Sequence, residues 1–146
     1  MSDKLVTIML VEDDEIDIKN VQRAFSKNNI ANPLVIAHDG QEAIDMLRGT
    51  NGFSKVNPTP KIILLDINMP RMNGLEFLKE LRSDPEHKSI SVFVMTTSND
   101  EKDKIGAYNY NVAGYILKPV NFEVFLNAIS ILDTYWKLCE PPPDKV

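Results

Sequence analysis

Short apolar runs alternate with amphipathic stretches along the chain, and this alternation predicts the fold. The apolar runs lie at residues 6–11, 33–37, 61–66, 91–95 and 114–117. Short unbroken runs bounded by turn formers are typical of strands that are buried on both faces of a parallel sheet. Apolar residues recur at helical spacing up to about residue 27 and again over 39–48, 74–82, 101–109 and 122–138. Five strands alternating with five helices predict an α/β fold, a doubly wound parallel sheet with right-handed crossovers.

The spacing of the apolar residues also predicts which side of each helix faces the sheet. The expected inward residues are Ile16, Val21, Ala24 and Phe25 in the first helix, Ala43, Ile44 and Leu47 in the second, Leu75, Leu78 and Leu81 in the third, and Ile105, Ala107 and Tyr108 in the fourth. This apolar face is weakest in the fourth helix. Asp14 precedes the first helix and is its expected N-cap. Residues 49–60 carry dense turn signals and predict a surface loop.

Composition and charge narrow the class of protein. The 146 residues carry a net charge of −5, whereas proteins that bind nucleic acid are typically basic, so the charge argues against nucleic-acid binding. No apolar run approaches the ~20 residues of a membrane span, and the first residues lack the layout of a signal peptide. The single cysteine, Cys139, excludes an internal disulfide and fits a reducing cytosol. We therefore expect a cytoplasmic protein with one domain over residues 1–140 and a short disordered tail at 141–146.

Polar residues follow four of the predicted strands, where ligands collect in an open parallel sheet. The first strand ends in Glu12 and Asp13, the third in Asp66, the fourth in Thr96 and the fifth in Lys118. Three carboxylates so close repel one another unless a cation joins them, and oxygen ligands without histidine or cysteine favour Mg²⁺. With the ion bound, Asp66 can act as a nucleophile toward phosphorus. The metal and Lys118 would then neutralise the phosphoryl oxygens, and the Thr96 hydroxyl could donate to one of them.

Taken together, these segments resemble the receiver domain of bacterial two-component response regulators. The resemblance rests on LVEDD at 10–14, LDINMPRMNG at 65–74 and the Lys-Pro pair at 118–119, and it covers about residues 5–138. It implies the flavodoxin-like (βα)5 fold with strand order 2-1-3-4-5. No output domain is expected after the last helix, so that output would pass through contact with another protein.

The resemblance assigns a role to each acidic residue of the site. Asp66 corresponds to the residue that accepts the phosphoryl group from a sensor histidine kinase. Asp13 corresponds to a direct Mg²⁺ ligand, Glu12 to a ligand through water, and the main-chain carbonyl of Asn68 to the third protein ligand. The first acid is glutamate where the family more often has aspartate, a variation that keeps the carboxylate. Together with Ser98, Asn68 flanks the expected phosphoryl position, so that slow self-dephosphorylation is expected.

The resemblance also implies a conformational switch. Thr96 corresponds to the switch hydroxyl, Tyr115 to the switch aromatic, and Lys118 to the lysine that precedes a cis-proline bond. Their movement would change the surface formed by the fourth helix, the fifth strand and the fifth helix. The apolar last helix indicates a homodimer, or the docking of a downstream protein, on that surface. The long loop at 49–60 and the aromatic end of the last helix resemble the stand-alone regulators that work with phytochrome-type kinases.

Other interpretations remain open from the residues alone. Asp66 could be a turn former, the acids at 12–13 helix caps, Thr96 a strand-end residue and Lys118 a solvated turn charge. A protein-interaction module of the same fold could signal without phosphorylation, although the reactive residues are all present. A phosphatase with an aspartyl-phosphate intermediate would need a second acid at position 68, which is asparagine. A flavin-binding domain would need a phosphate loop after the first strand, and the sequence has none there.

Overall fold

The computed structural model describes residues 6–138, in which five strands and five helices alternate. The strands are β1 (Ile8–Val11), β2 (Leu34–Ala37), β3 (Ile62–Leu65), β4 (Ser91–Thr96) and β5 (Gly114–Leu117). The helices are α1 (Glu15–Lys27), α2 (Gly40–Arg48), α3 (Gly74–Arg82), α4 (Glu101–Asn109) and α5 (Phe122–Leu138). All strand pairs are parallel, in the order β2-β1-β3-β4-β5, so the predicted flavodoxin-like fold is confirmed. Cys139 and the predicted tail lie outside the described residues.

The apolar strands β1 and β3 lie at the centre of the sheet, and their side chains contribute to a hydrophobic core on each face. Successive side chains of a strand point to opposite faces. Met9, Val11, Ile63 and Leu65 pack with residues of α2 and α3 on one face. Ile8, Leu10, Ile62 and Leu64 pack on the other face with residues of α1 and α5. Because both strands are buried on both faces, their positions are strongly fixed, and so are the residues that follow them.

The prediction for the buried face of α1 was wrong at Ile16. This side chain is 71 % exposed, whereas Ile18, Val21 and Phe25 are buried. Each residue turns a helix by about 100°, so Ile16 and Ile18 lie on opposite sides of α1, and only one can face the sheet. The N-cap prediction is confirmed, because the Asp14 carboxylate accepts a hydrogen bond from the Ile16 N–H at 2.8 Å.

Helix α4 is attached even more weakly than its sequence predicts. Of its three expected anchors, only Ala107 is buried, while Ile105 and Tyr108 are 61 % and 52 % exposed. By contrast, the expected residues of α2 are all buried, and so are Leu78 and Leu81 of α3. Few buried apolar contacts make a segment inexpensive to displace. Helix α4 is therefore an element that can rearrange at low cost.

One arginine connects α3 to the backbone at the end of the sheet opposite the acidic residues. The Arg82 guanidinium donates to the carbonyls of Lys88, Ile90, Tyr110 and Asn111, at 2.7, 2.7, 2.7 and 3.1 Å. The first two carbonyls precede β4, and the last two follow α4. This network fixes the C-terminal end of α4 to the body of the domain.

The loop predicted at 49–60 is ordered around the side chain of Asp45. A left-handed Gly49 (φ 72°) ends α2. The Asp45 Oδ1 atom then accepts hydrogen bonds from the side chains of Gln41, Thr50 and Asn51, at 3.2, 2.9 and 2.9 Å. Within the part of the chain that the structure describes, no helix is long and apolar enough to cross a bilayer.

Candidate functional site: an acidic pocket at the carboxyl ends of the strands

Glu12 and Asp13 follow β1 and form one wall of the site. The N–H of Glu12 donates to the Ala37 carbonyl at 3.0 Å, so that the pairing of β1 with β2 continues for one residue. The Glu12 side chain is only 3 % exposed, and its Oε2 accepts the Asp14 N–H at 3.1 Å. Asp13 is exposed. The local turn therefore holds one acid inside the pocket and the next at its opening.

Asp66 lies at the base of the pocket, directly after β3. Its N–H donates to the Val11 carbonyl at 3.1 Å, and the residue is 8 % exposed. The N–H of Asn68 points toward its Oδ1 at 3.4 Å. Gly74 packs tightly beneath it, because a Cβ atom there would lie 2.6 Å from the Asp66 carbonyl oxygen and 2.7 Å from the Ile67 Cα. A side chain at position 74 would displace the backbone that carries Asp66.

The three predicted acids are brought together. Glu12, Asp13 and Asp66 each offer a carboxylate oxygen, and these oxygens lie within 4.8 Å of one another. Burial, followed by the negative charge of Asp66, raises the pKa of Glu12 to about 7, although hydrogen bonds from Lys118 and the Asp14 N–H oppose this shift. A compact group of hard oxygen ligands with unbalanced charge fits a hydrated divalent cation such as Mg²⁺.

Lys118 reaches into this group from the end of β5. Its Nζ lies 2.8 Å from Glu12 Oε1 and 3.7 Å from Asp66 Oδ2. Burial disfavours the ammonium form, but hydrogen bonds to Asp17 and Glu12, together with the charge of Asp66, raise the pKa of Lys118 above its usual value. The lysine therefore stays charged. The N–H of Lys118 donates to the Thr96 carbonyl at 2.9 Å, which places the two predicted residues on adjacent strand ends.

Asp17 belongs to the site, and the sequence analysis missed it. Its Oδ2 lies 2.7 Å from the Nζ of Lys118, the shortest of the three distances between this ammonium and a carboxylate. Asp17 lies in the first turn of α1, three residues after the N-cap Asp14. An acid at that position is already explained by the helix dipole, and the partner of Asp17 lies 101 residues away. Three carboxylates thus lie within 4 Å of one ammonium group.

The two predicted switch residues meet at Ser98, in the loop between β4 and α4. The Thr96 side chain is fully buried, and its Oγ1 accepts the Ser98 N–H at 3.2 Å. The Tyr115 hydroxyl donates to the Ser98 carbonyl at 3.0 Å. Burial and the nearby charges of Asp103, Asp100 and Asp66 raise the pKa of this phenol, which therefore remains a donor. The Ser98 hydroxyl is itself bound to Asp103, at 2.6 Å.

Neither histidine belongs to the pocket. His38 is half exposed and pairs with Glu42, and its ring nitrogen lies 2.9 Å from that carboxylate. His87 is buried in the turn after α3, where its Nδ1 pairs with Asp84 at 2.9 Å. Both lie near turns, as their sequence positions indicate, and neither shares a carboxylate with the acidic pocket.

Comparison with known proteins agrees with this geometry. Residues 8–130 match the family described as the response regulator receiver domain. The response regulator Rcp1 of Synechocystis is 34 % identical over 129 residues, which are 88 % of this chain and 87 % of that protein. A crystal structure of the Mn²⁺-bound form of Rcp1 is similar with a TM-score of 0.74 and 33 % identity, covering 94 % of this chain and 99 % of that one.

Two further solved structures are similar over most of their length. A two-component response regulator from Legionella pneumophila has a TM-score of 0.78 and 43 % identity, covering 88 % of this chain and 98 % of that one. The phosphorylated cyanobacterial phytochrome response regulator RcpA has a TM-score of 0.77 and 33 % identity, covering 95 % and 99 %. The resemblance stated from the motifs is confirmed, and phytochrome response regulators are among the relatives. The chain belongs to the receiver domain family of two-component response regulators.

Proposed function

We propose that this protein is a phosphorylation-dependent regulator in which Asp66 accepts a phosphoryl group from a sensor histidine kinase. A single arrangement carries the proposal. The Asp66 carboxylate lies at the base of a pocket, with an ammonium group 3.7 Å away and two further carboxylates whose oxygens lie within 4.8 Å. A structural aspartate at a turn would not need such surroundings. A nucleophile that meets an anionic phosphoryl group does need them.

Glu12, Asp13 and Asp66 would hold Mg²⁺, together with the main-chain carbonyl of Asn68. Their donor atoms are all oxygens, and the Mn²⁺-bound form of the relative Rcp1 supports a divalent cation in this family. When bound, the ion would neutralise the acids and the phosphoryl oxygens. The raised pKa of Glu12 agrees with a site whose carboxylates are destabilised until a cation joins them.

The chemistry of the chain's own residues is a displacement at phosphorus. An oxygen of the ionised Asp66 forms a bond to the phosphorus of a phosphohistidine, and the bond between phosphorus and the imidazole nitrogen breaks. The bonding electron pair leaves with the imidazole. The ammonium of Lys118 lies beside Asp66 and compensates the charge of the phosphoryl oxygens. The Thr96 hydroxyl would donate to one of these oxygens in the product.

The same hydroxyl links the reaction to a surface. Thr96 and Tyr115 both bind to the backbone of Ser98, so that movement of Thr96 toward Asp66 would also displace the acceptor of the Tyr115 hydroxyl. The Ser98 segment leads into α4, which is the weakly attached helix. Phosphorylation of Asp66 would thus shift the equilibrium between two positions of the Ser98 segment and α4. The surface formed by α4, β5 and α5 would then change.

That surface is suited to a partner. Ile105 and Tyr108 of α4, Leu117 of β5 and Ile131 of α5 are all exposed. A downstream protein or a second copy of the chain would bury them. The relative RcpA is a phytochrome response regulator, which favours a phytochrome-type kinase as the donor. Water attack at phosphorus would end the signal, with Asn68 and Ser98 next to the phosphoryl group influencing its slow rate.

Intact mass spectrometry after incubation with acetyl phosphate tests this proposal directly. The wild type should gain one phosphoryl group with Mg²⁺ and none with a chelator. Asp66→Asn should gain none. Asp14→Asn is the matched control, because asparagine also caps helices and Asp14 is not one of the clustered acids. A phosphoryl gain that persists in Asp66→Asn would refute the assignment of the nucleophile. No gain in folded wild type would favour the interaction module that signals without phosphorylation.

A further inference from the structure

The ammonium group of Lys118 lies at unequal distances from three carboxylates. Its Nζ lies 2.7 Å from Asp17 and 2.8 Å from Glu12, but 3.7 Å from Asp66. The first two distances are hydrogen bonds, and the third is not. The lysine is thus bound to the two acids that are not the nucleophile, and it stands back from the one that is.

An ammonium group has three N–H donors, and Asp17 and Glu12 occupy two of them. A phosphoryl group on Asp66 would attract Lys118, and any movement of its Nζ toward Asp66 would lengthen at least one of the two present bonds. Glu12 belongs to the carboxylate cluster that fits a cation, whereas Asp17 does not. When a cation engages Glu12, Asp17 is therefore the carboxylate that still competes for the lysine.

We propose that Asp17 is a positioning residue that holds Lys118 away from Asp66 and so lowers the occupancy of the phosphorylated state. This inference rests on the proposed function. It predicts that the resting contact between α1 and the end of β5 is partly exchanged for a contact with the phosphoryl group. Asp17 touches neither the substrate nor the cation site, and it acts only through Lys118.

The exposure of the pair sets the size of the effect. The side chains of Lys118 and Asp17 are 16 % and 32 % exposed, so that water screens part of their attraction. Partly exposed ion pairs of this kind shift an equilibrium by roughly two- to fivefold. Loss of the Asp17 charge should strengthen binding at Asp66 by that factor.

The experiment measures the affinity for trifluoroberyllate, a mimic of the phosphoryl group, in the presence of Mg²⁺. Fluorine NMR titrations would compare the wild type with Asp17→Asn, Asp17→Glu and Asp66→Asn. We expect Asp17→Asn to bind the mimic two- to fivefold more tightly, and Asp17→Glu, which keeps the carboxylate, to bind like the wild type. Urea unfolding of each variant separates this effect from a loss of fold.

Two charge-matched controls distinguish competition for Lys118 from a general loss of negative charge. Glu15→Gln and Asp14→Asn remove the same charge from the start of α1, but neither acid contacts Lys118. Glu15 faces His38, at 3.7 Å. An equal gain in these controls would overturn the inference, as would an unchanged or weaker affinity in Asp17→Asn. If the wild type did not bind trifluoroberyllate, or if Asp66→Asn bound it equally well, the proposed function would fail. This inference would then fail with it.

Discussion

Replacing Asp66 by asparagine should stabilise the fold when no divalent cation is present. The residues have nearly the same shape, so the substitution leaves no cavity and removes mainly a charge. Two unit charges 4.8 Å apart, the largest separation in the acidic cluster, repel by about 3.5 kcal/mol at an effective dielectric constant of ~20. The attraction between Asp66 and Lys118, at 3.7 Å, is about 4.5 kcal/mol on the same scale.

Two repulsions therefore exceed one attraction at a pH at which every acid is ionised. Because Asp13 is exposed, water screens its repulsion with Asp66. We therefore expect Asp66→Asn to be more stable than the wild type by about 1 kcal/mol. The assay must be performed near pH 8, because the pKa of Glu12 is raised to about 7 and its charge fades below that value. At lower pH the difference between wild type and variant should shrink.

Urea unfolding, followed by circular dichroism, measures this difference with a chelator and then with Mg²⁺. The ion should reverse the order, because a ligand that binds only the folded state at 100 times its dissociation constant adds about 2.7 kcal/mol. The variant, with one ligand fewer, should gain much less. A less stable Asp66→Asn in the chelator would show that attraction to Lys118 outweighs the repulsion. An equal response of both proteins to Mg²⁺ would show that Asp66 is not a ligand.

Three further predictions concern two positions around the site and one that orders the loop at 49–60. Gly74→Ala should lower phosphorylation by acetyl phosphate and destabilise the fold by about 1–3 kcal/mol, because the new methyl group displaces the backbone of Asp66. Intact mass would detect the loss of phosphorylation, and urea unfolding would detect the loss of stability. Tyr115→Phe should cost about 0.5–1.5 kcal/mol in urea unfolding through the lost bond to Ser98, and no loss would show that this bond is not maintained in solution. Burial opposes ionisation of Asp45, but its three hydrogen bonds lower its pKa, so its stabilising effect is present above about pH 3.9 and lost as the pH falls through the lower folded-state pKa. Asp45→Ala should therefore be less stable than wild type by about 2 kcal/mol at pH 7, and this difference should decrease in urea unfolding as the pH is lowered below about 3.9 and the carboxylate is protonated.

The strand-end residues could be predicted from sequence because the apolar runs before them fix their positions. Val11 and Leu65 are fully buried on neighbouring strands, so the acids that follow them must emerge at one edge of the sheet. Strand order alone then brings Lys118 to the same edge. The pattern of the chain and the topology rule contain this information without knowledge of any side-chain contact.

The helices show why the remainder could not be predicted. Ile16 and Ile18 are equally apolar, and only the docking of α1 on the sheet decides which of them is buried. Asp17 is one of two acids in the first turn of α1, and nothing near it in the sequence indicates its role, because its partner is a lysine 101 positions away. Contacts between distant segments depend on the rotation of each helix, and the local sequence leaves that rotation open.

The arginine at the end of α3 has a consequence for how α4 would move. Its guanidinium holds the backbone just after α4, at Tyr110 and Asn111, whereas the other end of the helix continues from the Ser98 segment. A rod held at one end turns about that end. We therefore expect α4 to pivot about its C-terminus, so that displacement grows along the helix and is largest near Glu101. A distance probe at the start of α4 would register the switch, while the same probe at Asn109 would remain almost still.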